Sequence, residues 1–422
     1  MDFTFNEEQL AVRETVEGIF AGLVTPERVQ EVESTEDRFD RDLWAAMAKA
    51  DLLGLSLPEA FGGGGYGMVE LALVLEGQGR AVAPVPLWAT IALGAMPLAE
   101  FGSEAARSAI LPGVGAGRTV LTAALTDVAG DIAVGGPGNP SITAKAGGDG
   151  IVLSGTAFAV PSAHVADRVL VPAALDDGVV IAVVDPSAAG VTLERALTTN
   201  REVHPHLHLE GVVVANDHLL ADGDPSRGHE VLAWMLARAW TGLCALQVGV
   251  TEAAVSQTAA YLNTREQFGR PLSTFQGTML RAADAAIDTE SIRVTMWQAA
   301  WRLDNGLDAA LAVNVASWFA SEAGQRAVFS TQHLHGGMGA DISYPIHRYF
   351  LWGKQIELML GSPSAQLARL GRQVTGELRA GRAVAPGAGR PRRRPARPPH
   401  RWRRSGSRTS PWGTTFPSWP SP

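Results

Sequence analysis

Cysteine is almost absent from this chain: Cys244 is the single one in 422 residues. No intrachain disulfide can form, and a reducing compartment is expected. Lysine is nearly as scarce, with Lys49, Lys145 and Lys354 against 32 arginines. Charged residues make up only 18% of the chain and hydrophobic ones 46%, which excludes a disordered polymer and suits a helix-rich, well-buried enzyme. No apolar run approaches the ~20 residues of a membrane-spanning helix. The N-terminal Met1-Asp2-Phe3-Thr4-Phe5-Asn6-Glu7-Glu8 lacks the basic stretch of a secretory signal. A cytoplasmic protein without membrane contact is expected.

Charge is unevenly spread. The net value is −8, yet from Gly381 onward there are ten arginines and no acid, so residues 1–380 carry −18. An acidic body argues against nucleic acid as a partner. The tail, 381–422, mixes Arg, Pro, Gly and Ser without an apolar period and is expected to be disordered.

What is present reads as three blocks. Val12, Val16, Ile19, Phe20 and Leu23 recur at helical spacing, as do Leu43, Met47, Ala50 and Leu53. Gly62-Gly63-Gly64-Gly65-Tyr66-Gly67 breaks the pattern; without a preceding strand or a following Gly-Lys-Ser/Thr it reads as a flexible connection. Ser103 can cap a helix that Pro112 would stop. From Thr119 the texture turns to short β-branched runs, among them 151–153, 168–171 and 178–184, separated by Gly, Pro and Asp. Residues 228–380 return to long helices, about 228–262, 275–304, 308–332, 345–358 and 363–378. The expected fold class is α+β, mostly α. It comprises a helical domain over 1–118, an antiparallel β domain over 119–222, a four-helix-bundle domain over 223–380 and the tail.

His204, His206 and His208 alternate along one run of the β domain. Imidazoles are common metal ligands, but no carboxylate or cysteine completes a set. A solvated strand face is the expectation, with no metal.

Two stretches carry chemistry. Arg265-Glu266-Gln267-Phe268-Gly269-Arg270-Pro271 turns between two long helices and is followed by Phe275 and Gln276. Arginine's planar fork suits phosphate oxygens, and a helix start is friendly to anions. The bland alternative is an ordinary helix–helix turn with an exposed arginine. Some 65 residues on come Thr331-Gln332-His333-Leu334-His335-Gly336-Gly337-Met338-Gly339 and then Tyr344-Pro345-Ile346-His347-Arg348-Tyr349. As a pair these motifs resemble those of the acyl-CoA dehydrogenase family, whose pattern is Arg-x-Gln-Phe-Gly, then Gln-x-x-Gly-Gly-x-Gly and Tyr-Pro-x-x-Arg. The likeness runs from residue 1 to about 380, and the helical, β, helical order matches that family's architecture.

The resemblance implies FAD as cofactor, its ring held in one subunit and its pyrophosphate and adenosine contacted by a neighbour. It also implies an acyl-CoA thioester as substrate, desaturated between its α- and β-carbons, and electron-transfer flavoprotein as acceptor. Arg265 and Gln267 match the family's pyrophosphate contacts, with Phe268 beneath the turn, and Phe275 and Gln276 match the contact pair that follows. Gly336 and Gly337 match the pair that lets backbone approach the cofactor, and His333 stands where the family has glutamine. The ring-holding half departs from the pattern. Ala124-Leu125-Thr126-Asp127 is similar to the family's Ala-Leu-Thr-Glu. In Leu153-Ser154-Gly155-Thr156-Ala157-Phe158-Ala159-Val160-Pro161, however, the lysine, aromatic and hydroxyl of the family signature have become Ala157, Ala159 and Pro161.

The family's catalytic glutamate falls on Leu360, and its alternative position falls on Ala239; neither can take a proton. Glu357, three residues before Leu360, is expected to be a solvated helix charge and is the weak candidate for a displaced base. Arg348 is expected to tie its helix to the bundle. Taken together the pattern is similar to the non-catalytic chain of actinobacterial heterotetrameric dehydrogenases acting on steroid side-chain CoA thioesters, which implies a homologous catalytic chain as partner. The alternatives are a self-sufficient homotetrameric dehydrogenase and a non-enzymatic acyl-CoA-binding or scaffold protein.

Overall fold

The computed structural model describes residues 4–126, 140–379 and 381. Asp127 and the Arg/Pro-rich tail beyond Gly381 lie outside the described residues.

The N-terminal region is helical, for local reasons legible in its caps. Helix α1 (Glu7–Leu23) opens with a capping box, Asn6 accepting from the Gln9 N–H and the Gln9 side chain returning the bond, and it buries Val12, Val16 and Phe20. Thr25 and Asp40 cap α2 (Pro26–Ser34) and α3 (Arg41–Lys49). Helix α4 (Met68–Ala81) is followed by a π-helical stretch over Ala89–Ala95, then α5 (Met96–Phe101) and α6 (Glu104–Gly115). Ser103 caps α6 as expected, but Pro112 does not stop it. The donor that proline lacks faces the carbonyl of exposed Ser108, where water can substitute, so the helix completes another turn.

The glycine run is not a loose connection. Gly63, Gly64 and Gly65 donate to Pro58, Gly54 and Leu57 carbonyls at 3.1, 2.9 and 2.7 Å. A Cβ on Gly63 would sit 2.2 Å from the Leu57 carbonyl oxygen, so the residue is dictated by close packing.

The middle region forms one sheet of β1 (Leu121–Ala123), β2 (Thr143–Gly147), β3 (Gly150–Ala157), β4 (Arg168–Leu175), β5 (Gly178–Val184), β6 (Val191–Glu194) and β7 (His206–Ala215). The order is β1-β4-β2-β3-β7-β6, with β5 also on β4. Most pairs are antiparallel, but β1 and β2 run parallel to β4, so the sheet is mixed. β-Branched runs announce strands without announcing their direction.

Helices α7 (Gly228–Thr264), α8 (Gln276–Asp304), α9 (Ala310–Leu334), α10 (Ile346–Met359) and α11 (Pro363–Arg379) form the C-terminal bundle. Helix α7 alone among the described residues is long and apolar enough to cross a membrane, but 78% of its most apolar window is buried within the protein. It packs backbone to backbone on α4: a Cβ on Gly79 would lie 2.1 Å from the Leu246 oxygen, and one on Gly249 2.0 Å from the Glu76 oxygen. Asp304, at the end of α8, accepts from the Met68 and Val69 N–H groups at 2.6 and 2.9 Å and so caps α4 from another domain. Arg348 reaches Glu33 of α2 through Nε and Nη2 at 3.2 and 3.1 Å with both side chains largely buried, a tie between the bundle and the N-terminal region.

Candidate functional site

The residues that the sequence offers as cofactor contacts divide into two structural groups. The first leaves the body of the protein. Beyond α7 the chain makes a short hairpin of β8 (Glu266–Gln267) and β9 (Arg270–Pro271), with Phe268 and Gly269 at its tip at φ +55° and +75°. Two successive positive φ values are what a two-residue hairpin turn requires. Phenylalanine is strained in that conformation, and such strain collects at functional positions. Phe268 does not lie beneath the turn: it is 92% exposed and meets only the edge of Phe275, at 6.2 Å between ring centroids. A hairpin tip has no interior to receive it. Arg270 stacks on the other aromatic, its guanidinium 4.1 Å from the Phe275 centroid, a contact that sequence spacing did not announce.

Arg265 is anchored by its backbone, donating to the Tyr261 carbonyl and accepting from the Leu272 N–H, both at 2.8 Å. Its side chain is exposed and has no partner among the described residues. The Gln267 amide bonds locally to the Glu266 carbonyl at 2.8 Å, and Gln276 is exposed at the first position of α8. Gly336 and Gly337 follow α9 and are exposed; Gly336 has φ +58°, and a Cβ on either would meet nothing within 4 Å. Nothing among the described residues requires a bare backbone at Gly337. His333 is exposed, with its ring 6.5 Å from Phe329.

A surface feature missed in the sequence continues from the hairpin. The outer face of α8 exposes Met279, Leu280, Ile287 and Val294 at 50, 58, 64 and 51%. The seven-residue repeat of the last three was available to find it, but the same spacing suits a buried face.

Of the second group only Pro161 lines a cavity, and that cavity is nearly full. Between Trp88, Pro161, Ser162, Leu243, Trp352 and Ile356 only about 30 Å³ remains. That is room for a water or two, whereas small-molecule sites run to roughly 300–1,000 Å³. The Trp88 indole donates to the Ala239 carbonyl at 2.9 Å, and its ring lies against Gly242. Trp240 lies under the Arg369 guanidinium at 3.9 Å, where burial pulls the arginine's pKa down to about 10. Leu360 is buried, 2% exposed, at the end of α10.

The backbone donors of the run over 159–162 are already committed within the chain. Ala159 N–H bonds His206 Nδ1 at 3.0 Å, Val160 N–H the Pro205 carbonyl at 2.8 Å, and Ser162 N–H the Val203 carbonyl at 3.2 Å. Pro161 has none to give. Thr126 Oγ1, just after β1, donates to the Ala159 carbonyl at 3.3 Å.

Two expectations are corrected here. Glu357 is not a solvated charge: it is 6% exposed and accepts from Lys354 Nζ at 2.6 Å, outside the cavity lining. The i, i+3 lysine and the packing of α10 against its neighbours take it out of water. Of the three histidines only His206 and His208 share a half-exposed strand face. His204 is buried before β7 begins, while His206 bonds Ala159 and His208 bonds Thr156 and Glu194. Among the described residues no group of three His, Cys, Asp or Glu side chains converges as a metal site. The cavity's one carboxylate, Glu202, is held by Asn200 Nδ2 at 2.9 Å with His204 Nε2 3.5 Å away. Cys244 is buried and its thiol is pushed up to about 12 by desolvation, so it is no nucleophile.

Residues 6–118 match the model of the acyl-CoA dehydrogenase N-terminal domain, and residues 226–375 that of the acyl-CoA dehydrogenase C-terminal domain. Acyl-CoA dehydrogenase FadE27 of Mycobacterium tuberculosis is 36% identical over 89% of this chain and 99% of its own. Among solved structures, a variant of the Tcur3481-Tcur3483 steroid ACAD is 44% identical with a TM-score of 0.82, covering 88% of this chain and 99% of that one. The ChsE4-ChsE5 complex from M. tuberculosis is 36% identical with a TM-score of 0.82, covering 89% and 99%. The chain belongs to the acyl-CoA dehydrogenase family.

Proposed function

We propose that this chain is the subunit of a hetero-oligomeric acyl-CoA dehydrogenase that completes the FAD site of a homologous, base-carrying partner and performs no proton abstraction itself. The observation that carries it is the contrast between the cavity, about 30 Å³ and lined by Trp88, Pro161 and Trp352, and the exposed, unpartnered Arg265 on its hairpin. FAD is the family's cofactor, and a solved protein of this fold, PigA, carries it. The residues present fit FAD in one half only. The ring half fits poorly: the cavity beside Pro161 holds only about 30 Å³ and the donors of Ala159, Val160 and Ser162 are taken.

The outward half fits a neighbour's dinucleotide. Arg265 presents a planar fork to the pyrophosphate, Gln276 adds an amide at a helix start, and Gly336 and Gly337 leave backbone open to close approach. Bound FAD supplies the acceptor for the hydride that leaves the substrate's β-carbon. The α-proton goes to a carboxylate of the partner, because Leu360 and Ala239 cannot take it and Glu357 is tied to Lys354. The apolar strip on α8, beside the hairpin, suits burial against that partner. Likeness to the steroid ACAD structure favours a steroid side-chain CoA thioester as substrate of the complex. A scaffold that had lost flavin altogether would share the filled cavity but would have no use for a strained aromatic and a bare arginine on one hairpin.

Flavin content tests the reading. The chain purified alone should be colourless. Co-expressed with its homologous partner it should yield a yellow complex with half as many flavins as chains, bleached by acyl-CoA. A yellow chain that reduces its own flavin when given acyl-CoA would overturn it.

A further inference from the structure

The two outward arms are joined beneath the surface by a cluster of three rings, two of them stacked. His335, the residue before Gly336, is 2% exposed and turns inward while the glycines turn outward. Its ring stacks on Tyr261 at 4.3 Å and 25° and lies 5.3 Å from Tyr344. Its Nε2 is 3.2 Å from Thr258 Oγ1, also on α7, while its Nδ1 has no partner among the described residues. Tyr261 in turn holds the Arg265 N–H through its carbonyl at 2.8 Å, and Tyr344 offers its carbonyl to His347 Nδ1 at 2.7 Å, leading into α10. The cluster therefore connects the last turn of α7, from which the Arg265 hairpin leaves, to the end of α9, from which the glycine turn leaves, and to the start of α10. The first two are the elements that would meet one dinucleotide, and the His335 ring sits where all three converge.

We propose that His335 is a positioning residue that sets the glycine turn at Gly336 and Gly337 against the Arg265 hairpin, so that both arms reach one dinucleotide together. The proposal rests on the reading of this chain as the completing subunit. A displaced arm loses affinity steeply, since misplacement by an ångström is felt throughout a bound ligand. The aromatic face is the working part, because Tyr261 and Tyr344 both meet the ring, whereas Thr258 meets one nitrogen.

The test uses the co-expressed complex, with FAD dissociation measured by fluorescence recovery and Tm measured alongside. His335→Ala should weaken FAD retention on the order of tenfold. His335→Phe, which keeps a ring in the stack, should restore it to within about twofold at similar Tm. Arg265→Ala is the control. If Arg265→Ala weakens FAD and His335→Ala does not, the positioning role fails while the subunit reading stands. If neither weakens FAD, that reading fails with it. Should the alanine and phenylalanine variants lose affinity equally and in step with Tm, His335 is a packing residue and the proposal is wrong.

Discussion

At Glu357 a single side chain separates two accounts of the reaction. Its carboxylate is buried and paired with Lys354 at 2.6 Å and does not line the cavity. Glu357→Gln should therefore leave turnover of the co-expressed complex within about twofold of the parent, whereas removal of a true general base costs on the order of 10²–10⁴-fold. Steady-state kcat decides. Arg265 makes the opposite case, since its guanidinium is exposed and without a partner among the described residues. Arg265→Lys keeps the charge but loses the planar fork. FAD retention should fall by about tenfold, roughly one strong charge-assisted hydrogen bond, with Tm unchanged, as equilibrium dialysis against FAD would show. Both identities were legible in the sequence. The burial of Glu357 was not, because the lysine that pairs with it is three residues away and looks identical on a solvated helix.

Among the elements, α4 depends on a group far away in the chain. Asp304 satisfies the Met68 and Val69 N–H groups, and Gly67 offers no side chain for the purpose. Asp304→Ala should lower stability by about 0.5–2 kcal/mol, the usual worth of a helix cap, measured as a shift in denaturant midpoint at constant slope. Helices α7 to α11 were readable from apolar spacing to within two residues at each end, because long periodic patterns leave little choice of face. The mixed sheet, the packed glycine run and the passage of α6 through Pro112 were not. Each turns on which neighbour sits alongside, and neighbours are not written into local spacing.

For the whole molecule, acid is the informative stress. His164, His335 and His347 are all pushed below the ordinary imidazole value, chiefly by burial. The unfolded chain thus binds protons that the folded chain resists. Their contribution to stability is fully present above about pH 6.5, the unfolded value. It is lost as pH falls toward the depressed folded values, with a slope of at most about 1.4 kcal/mol per pH unit for each proton. Tm should decline below that pH, and His335→Phe should flatten part of the decline. The blocks of the fold were legible in composition and period. The candidate site was legible only in part: Leu360 and Ala239 could be read at the positions expected for a base, while the filling of the cavity by Trp88 and Trp352 needed three-dimensional neighbours.

Helix α7 carries Ala239 about a third of the way along and delivers Arg265 at its end, and at about 1.5 Å per residue these points stand some 39 Å apart. A rod of that length, clamped to α4 along its middle, insulates its two ends. A substitution at Ala239 should therefore leave the Arg265 hairpin undisturbed, and each end of the rod can change without the other.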